Sequence, residues 1–188
     1  MRKDLGAKEW LYPMPALVVA TWDEGGVPDA MVAAWGGISD NKEIALCLDA
    51  SHKTVANILR RRAFTVSPAT KEHIKECDYL GLVSANNTPD KFAASGLHAL
   101  QAPHVDAPLI EQLPLTLECE LLSYDEASSH LFARIVNVSA DECILTQEGK
   151  VNVTAFAPVV FDPANHTYLE VAGSVAKAFS AGLVFKKL

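Results

Sequence analysis

Residues 16–22 are a nearly continuous apolar run, Glu24-Gly25-Gly26-Val27 supplies a tight turn just beyond it, and a second mainly apolar run returns over 29–35. A run of that length and density is a strand covered on both faces, and the turn chemistry joins the two runs as a hairpin. The same pattern recurs. Residues 43–48 and 63–67 read as further strands. Over 115–124, Leu115, Leu117, Cys119 and Leu121 alternate with Thr116, Glu118 and Glu120, and 131–138 answers that strand across an Asp125-to-Ser129 loop, giving a second hairpin.

Helical periodicity is confined to 54–61, 71–82 and a short piece at 90–94, where Pro89-Asp90-Lys91-Phe92 resembles a helix start. Strands that outnumber helices and are joined by tight turns predict a mainly β fold, an antiparallel barrel closed so that few edges stay exposed. Residues 103–108 read as an irregular connection. With no linker, repeat or low-complexity tract, residues 1–188 are expected to form a single domain.

Composition narrows the function classes. A formal net charge of -7 and a pI near 5.3 argue against a nucleic-acid partner, whose binding rests on a basic surface. Arg60, Arg61 and Arg62 are the one dense basic cluster, and they read as solvated complements to a helix end. No apolar stretch is long enough to span a bilayer, and the charged start, Arg2-Lys3-Asp4, lacks the apolar follow-on of a signal peptide. Cys47, Cys77, Cys119 and Cys143 are dispersed and form no close pair, so they read as reduced core thiols and not as a metal or disulfide set. A cytoplasmic location is expected.

Between a strand ending at Leu48 and a helix starting near Thr54 the chain reads Ser51-His52-Lys53-Thr54. Free backbone amides at a helix start, the positive end of its dipole, two hydroxyls and an ammonium form a phosphate site. The sequence thus predicts a local anion site in an acidic chain.

Several segments occur in a telling order. They are Trp10-Leu11-Tyr12-Pro13-Met14-Pro15, Val32-Ala33-Ala34-Trp35-Gly36-Gly37, the Ser51-to-Thr54 turn, the stretch from Asp78 to Ser84, Asp90-Lys91-Phe92-Ala93-Ala94-Ser95-Gly96-Leu97 and Asp106-to-Glu111. Together they make the chain resemble the flavin reductase-like proteins of the flavoredoxin type, whose fold is the FMN-binding split barrel, Greek-key-like and antiparallel with peripheral helices. The resemblance runs from about residue 4 to 185. It implies a homodimer with non-covalent FMN near the subunit interface, its phosphate beside the Ser51-His52-Lys53-Thr54 turn. Position by position it implies that Trp35 lies against the flavin, Thr54 binds phosphate, Lys91 approaches the cofactor, and His130 and Phe161 complete the pocket. Asp29 departs from the asparagine common in such sequences, so it either faces solvent or weakens FMN binding.

Physical chemistry supplies a parallel reading. Isoalloxazine needs an apolar surface and amide groups along its pyrimidine edge, and the backbone of Met31, Val32 and Ala33 up to Trp35 offers both. A cation at Lys91 or a protonated His130 would favour the reduced, anionic ring. Bland readings stand beside these: Trp35 as core, Lys91 as a surface lysine, His130 as a turn residue, Phe161 as a strand residue and His52 in solvent. His73, His98, His104 and His166 lack metal-site spacing. No catalytic acid or base is assigned, because hydride transfer from nicotinamide to flavin is carried by the cofactors. The expectation is an NAD(P)H-dependent flavin reductase, using NADH or NADPH. The alternative is an electron carrier that shuttles electrons between protein partners through FMN, and a third reading is a barrel for pyridoxal phosphate or haem.

Overall fold

The computed structural model describes residues 1–186. In chain order the strands and helices are β1 (Met14–Pro15), β2 (Leu17–Trp22), β3 (Pro28–Ala33), β4 (Gly36–Asp40), β5 (Glu43–Cys47), α1 (Lys53–Arg61), β6 (Ala63–Pro68), α2 (Ile74–Leu82) and α3 (Lys91–Ala94). They continue with β7 (Ala99–Gln101), β8 (Pro108–Ile110), β9 (Leu115–Asp125), β10 (His130–Ala140), α4 (Val153–Phe156), β11 (Val159–Asp162) and β12 (Thr167–Glu170). The fold is mainly β, as expected.

Seven strands form one antiparallel sheet in the order β3-β2-β6-β9-β10-β5-β4. Both expected hairpins are present, β2 with β3 through Leu17↔Ala33 and β9 with β10 through Leu131↔Tyr124. The sheet curls. Six of its strands send alternate side chains into one core, including Leu17, Val19, Met31, Ile44, Leu46, Phe64, Cys119 and Leu131, and Val55 and Ile58 of α1 enter the same core. Alternation with period two is what allows one face of every strand to meet at the barrel centre. Each fully buried aliphatic or aromatic side chain there contributes about 1.5–3 kcal/mol.

The barrel is split, as the resemblance implied and not closed as the strand pattern alone suggested. β3 and β4 are the two ends of the sheet order, although only Ala34 and Trp35 separate them in the chain. The outer face of the β2–β3 hairpin, through Ala16, Val18, Ala20 and Ala30, packs a second core with Cys77 and Leu80 of α2 and Phe92 of α3. A small sheet, β1-β11-β12, lies beyond it, and β7 pairs with β8 across the segment 103–108 read as irregular, which forms the connection between them.

Local departures have local causes. The second helix starts at Ile74, later than the periodicity suggested, because residues 69–73 form a bridge and turn that pair Thr70 with Pro158. The arginine cluster is not simply solvated: Arg61 Nε donates to Asp23 O at 3.2 Å and Arg62 Nη2 to Leu121 O at 2.9 Å, tying the end of α1 to the first turn and to β9. Cys77 and Cys119 are core thiols pushed up to about 12 by burial, whereas Cys143 is exposed and Cys47 half-buried.

Candidate functional site

The turn between β5 and α1 is built around Asp49. Ser51 N–H donates to Asp49 Oδ1 at 2.8 Å and His52 N–H to Asp49 O at 3.2 Å. Hydrogen bonds from the Ser51 hydroxyl and amide hold the Asp49 carboxyl below its ordinary range. The expected set of four free amides is therefore reduced: among the described residues only the Lys53 and Thr54 N–H groups at this helix start have no hydrogen-bond partner. His52 caps α1 with extended backbone and its ring bonds back to Asp49 O at 2.9 Å without capping the helix amides, so the helix dipole opens toward the same point. The Lys53 ammonium stands 3.5 Å from Asp23 Oδ2.

Below that helix start lies a buried polar cluster. Thr54 and Asn57 share one face of α1, three positions apart, and both donate to Asp29 Oδ2, at 2.9 and 3.1 Å. Asp29, on β3, is only 3% exposed. Asp29 thus does not face solvent. Nor does the Thr54 hydroxyl proton point outward, since it is given to Asp29. Lys91 is no surface lysine: it is 3% exposed, its Nζ donates to Leu80 O at 3.2 Å and Val83 O at 3.0 Å, and it stands 3.7 Å from Asp29 Oδ1. Burial pushes the Lys91 ammonium below its ordinary value, with the Asp29 charge opposing. Asp29 Oδ1 itself receives no hydrogen bond among the described residues.

Four hollows follow one another from this point, each sharing lining residues with the next. The first, of about 240 Å³, is lined by Met31, His52, Lys53, Thr54, Ser84 and Lys91, with Gly81 and Leu82 at its edge. Gly81 and Leu82 also border the second, of about 210 Å³, where Val32, Ala34, Asp78, Phe161 and Tyr168 meet. Ala34 leads into the third, of about 600 Å³, between Trp10, Pro13, Pro15 and Trp35. Trp35 leads into the fourth, of about 340 Å³, which includes Cys47 and His130. A polar, anion-accepting hollow at the α1 start is thereby followed by a trough of apolar and aromatic hollows that reach Trp35. An elongated amphipathic ligand with an anionic end and a flat ring fits that combination.

The trough gathers Met31, Val32, Trp35, His52, Lys53, Thr54, Lys91, His130 and Phe161, although no single hollow holds them all. Trp35 is 54% exposed, so it is not core packing. His130 is exposed at the start of β10, stacked 6.5 Å from Phe132. Ala33 points into the barrel core and Ser51 lines none of the four hollows. Sequence reasoning missed Asn57, which the three-residue spacing from Thr54 signalled, and the Asp78–Tyr168 pair, bonded at 2.7 Å, whose partners are 90 residues apart. Burial first, and then the bond to Asp78, push the Tyr168 hydroxyl above its ordinary value.

Comparison with known proteins places these features in company. A sequence profile of the flavin reductase like domain matches residues 10–165. Flavoredoxin of Desulfovibrio vulgaris (Miyazaki F) superposes with a TM-score of 0.92 at 36% identity, covering 97% of this chain and all of that one. Flavoredoxin from Methanosarcina acetivorans gives 0.87 at 19% identity over 98% of this chain and all of its own. An uncharacterized protein of Aeropyrum pernix is 26% identical over 121 residues, which are 64% of this chain and 46% of that protein, so the match spans under half the relative's length.

Proposed function

From its membership of the flavin reductase-like family, we propose that the chain is a flavoprotein which binds FMN non-covalently along the β3 trough and passes reducing equivalents from NADH or NADPH to an acceptor. The observation that carries the reading is the succession of an anion-accepting hollow at the α1 start and apolar hollows that share lining residues one with the next as far as exposed Trp35. The residues present fit the group: the Lys53 and Thr54 amides and the Lys91 ammonium suit the phosphate, while Val32, Phe161, Trp35 and His130 suit the ring. When bound, the flavin supplies the hydride and electron chemistry.

The protein's share is binding, orientation and electrostatics. Two unpaired amides at the end of a helix fix one terminus of an elongated ligand without moving. The free edge of β3, unpaired on the side away from β2, offers backbone groups to a planar edge. Trp35 and Phe161 exclude water from the flat faces. Lys91, held by two carbonyls and screened by Asp29, keeps a fixed position instead of sweeping through solvent.

The reading includes a homodimer. Its support is the run of apolar groups that this chain leaves uncovered: Ile38 at 69% on the end strand β4, Trp35 beside it, and Val175, Phe179 and Phe185 beyond β12. A reducing compartment fits four free cysteines, one of them exposed. Similarity to a flavoredoxin at 36% identity favours one second reading, an electron carrier that exchanges electrons with a protein partner and not with nicotinamide. Anaerobic mixing of the FMN-loaded protein with NADH and with NADPH separates them. Rapid bleaching of the visible flavin absorbance by either nucleotide supports the reductase, and a spectrum that stays unchanged over minutes supports the carrier.

A further inference from the structure

Thr54 and Asn57 need only an oxygen that accepts their hydrogen bonds, and an amide at position 29 would supply one. The full charge of Asp29 therefore has a different counterpart. Among the described residues it is Lys91, 3.7 Å from Oδ1, an oxygen that no donor otherwise satisfies. The second cation of the same hollow, Lys53, leans on Asp23 at 3.5 Å, so each ammonium there has its own carboxylate. What remains to attract an anion is the partial charge of the α1 start and its two unpaired amides.

We infer that Asp29 is a positioning residue that cancels the Lys91 charge within the anion hollow, so that the phosphate of the ligand contributes little affinity and recognition shifts to the ring. This rests on the flavoprotein reading above. Asp29 touches no part of the trough surface; it acts through Lys91 and Thr54, both of which line the hollow while Asp29 lies behind them. A charge close to a bound phosphate and itself shielded from solvent, as Lys91 is at 3% exposure, changes its binding more than a surface charge does.

The test compares FMN with riboflavin, which differ only in the phosphate, by fluorescence titration of wild type, Asp29→Asn and the double variant Asp29→Asn/Lys91→Met. Asp29→Asn is expected to raise the preference for FMN over riboflavin by about fivefold or more, leaving riboflavin affinity within about twofold. A smaller rise overturns the inference even where both flavins bind well, so its failure is distinct from that of the flavoprotein reading. In the double variant both charges are gone and the preference is expected to stay within about threefold of wild type. Should Asp29→Asn alone fail to fold, the double variant decides: a preference that falls further than this shows that Lys91 acted as an uncancelled cation, and overturns the proposal. Wild type that binds neither flavin overturns the flavoprotein reading and this inference with it.

Discussion

Thr54 has one hydroxyl proton, and Asp29 holds it. Its side chain therefore works for the fold before it works for a ligand. Thr54→Ala should lower the stability of the flavin-free protein by about 1–3 kcal/mol, the cost of removing a donor from a buried charged acceptor, as urea denaturation would measure. Lys91→Met should cost more, about 3–5 kcal/mol, because it strands the Asp29 carboxylate in the core; adding Asp29→Asn should recover most of that loss, since the buried charge goes with its partner. A double variant as unstable as the sum of the two singles would refute the pairing. The sequence foreshadowed part of this. Lys91 stands early in a helix, where a cation opposes the dipole, and that local conflict marked it as more than a surface residue. Its burial was not legible, because it depends on the carbonyls of Leu80 and Val83 at the end of another helix.

Hairpins were legible because their signals are local. β2 and β9 have period-two or wholly apolar patterns with turn residues at their ends, and the structure pairs each with the neighbour expected. β4 carried no such signal: Gly36, Gly37, Ile38, Ser39 and Asp40 are all exposed, so no alternation betrays the strand. Its first glycine has a purpose that only the structure reveals. A Cβ on Gly36 would lie 2.8 Å from Ala45 O and 2.4 Å from Leu46 Cδ2, whereas one on Gly37 would meet nothing within 4 Å. Gly36→Ala should therefore push β4 off β5, lower stability by about 1–3 kcal/mol and alter the fluorescence of neighbouring Trp35, while Gly37→Ala leaves the thermal melt nearly unchanged. The β1-β11-β12 sheet was invisible for another reason: it pairs Met14 with Phe161, from opposite ends of the chain. Its polar anchor is Asp162, held down to about 2 by bonds from Asn165 first and then from the Tyr12 hydroxyl. A carboxyl whose folded value is depressed stabilises the fold above its unfolded value, about 3.9, and that help fades as pH falls toward 2. Tyr12→Phe should accordingly narrow the gap in melting temperature between wild type and variant as the buffer is taken from neutral pH down through that window; a gap independent of pH would rule the anchor out.

At the scale of the whole molecule, a curled sheet that does not close leaves its ends, β3 and β4, unpaired with each other and joined only through Ala34 and Trp35. The split serves the site, because a closed ladder would consume the β3 edge and cover the hollows along it. It also leaves an aggregation-prone edge: β4 has free backbone groups and Ile38 stands 69% exposed upon it. Evolutionary safety for such an edge comes from covering it, and the uncovered apolar groups after β12, Val175 and Phe179 among them, are buried by no counterpart among the described residues. A second copy, as proposed above, would meet both needs at once, since a twofold arrangement would place the same edge and the same tail on each side of one interface. Light scattering coupled to size exclusion should then give twice the chain mass of 20.3 kDa. Ile38→Lys should move the protein toward the single-chain mass and weaken flavin binding in parallel, because Ile38 borders the hollow that holds Trp35 and His130. A single-chain mass for the wild type would remove the dimer from the reading, and an Ile38→Lys monomer that binds flavin as tightly as wild type would show the trough to be complete within one subunit.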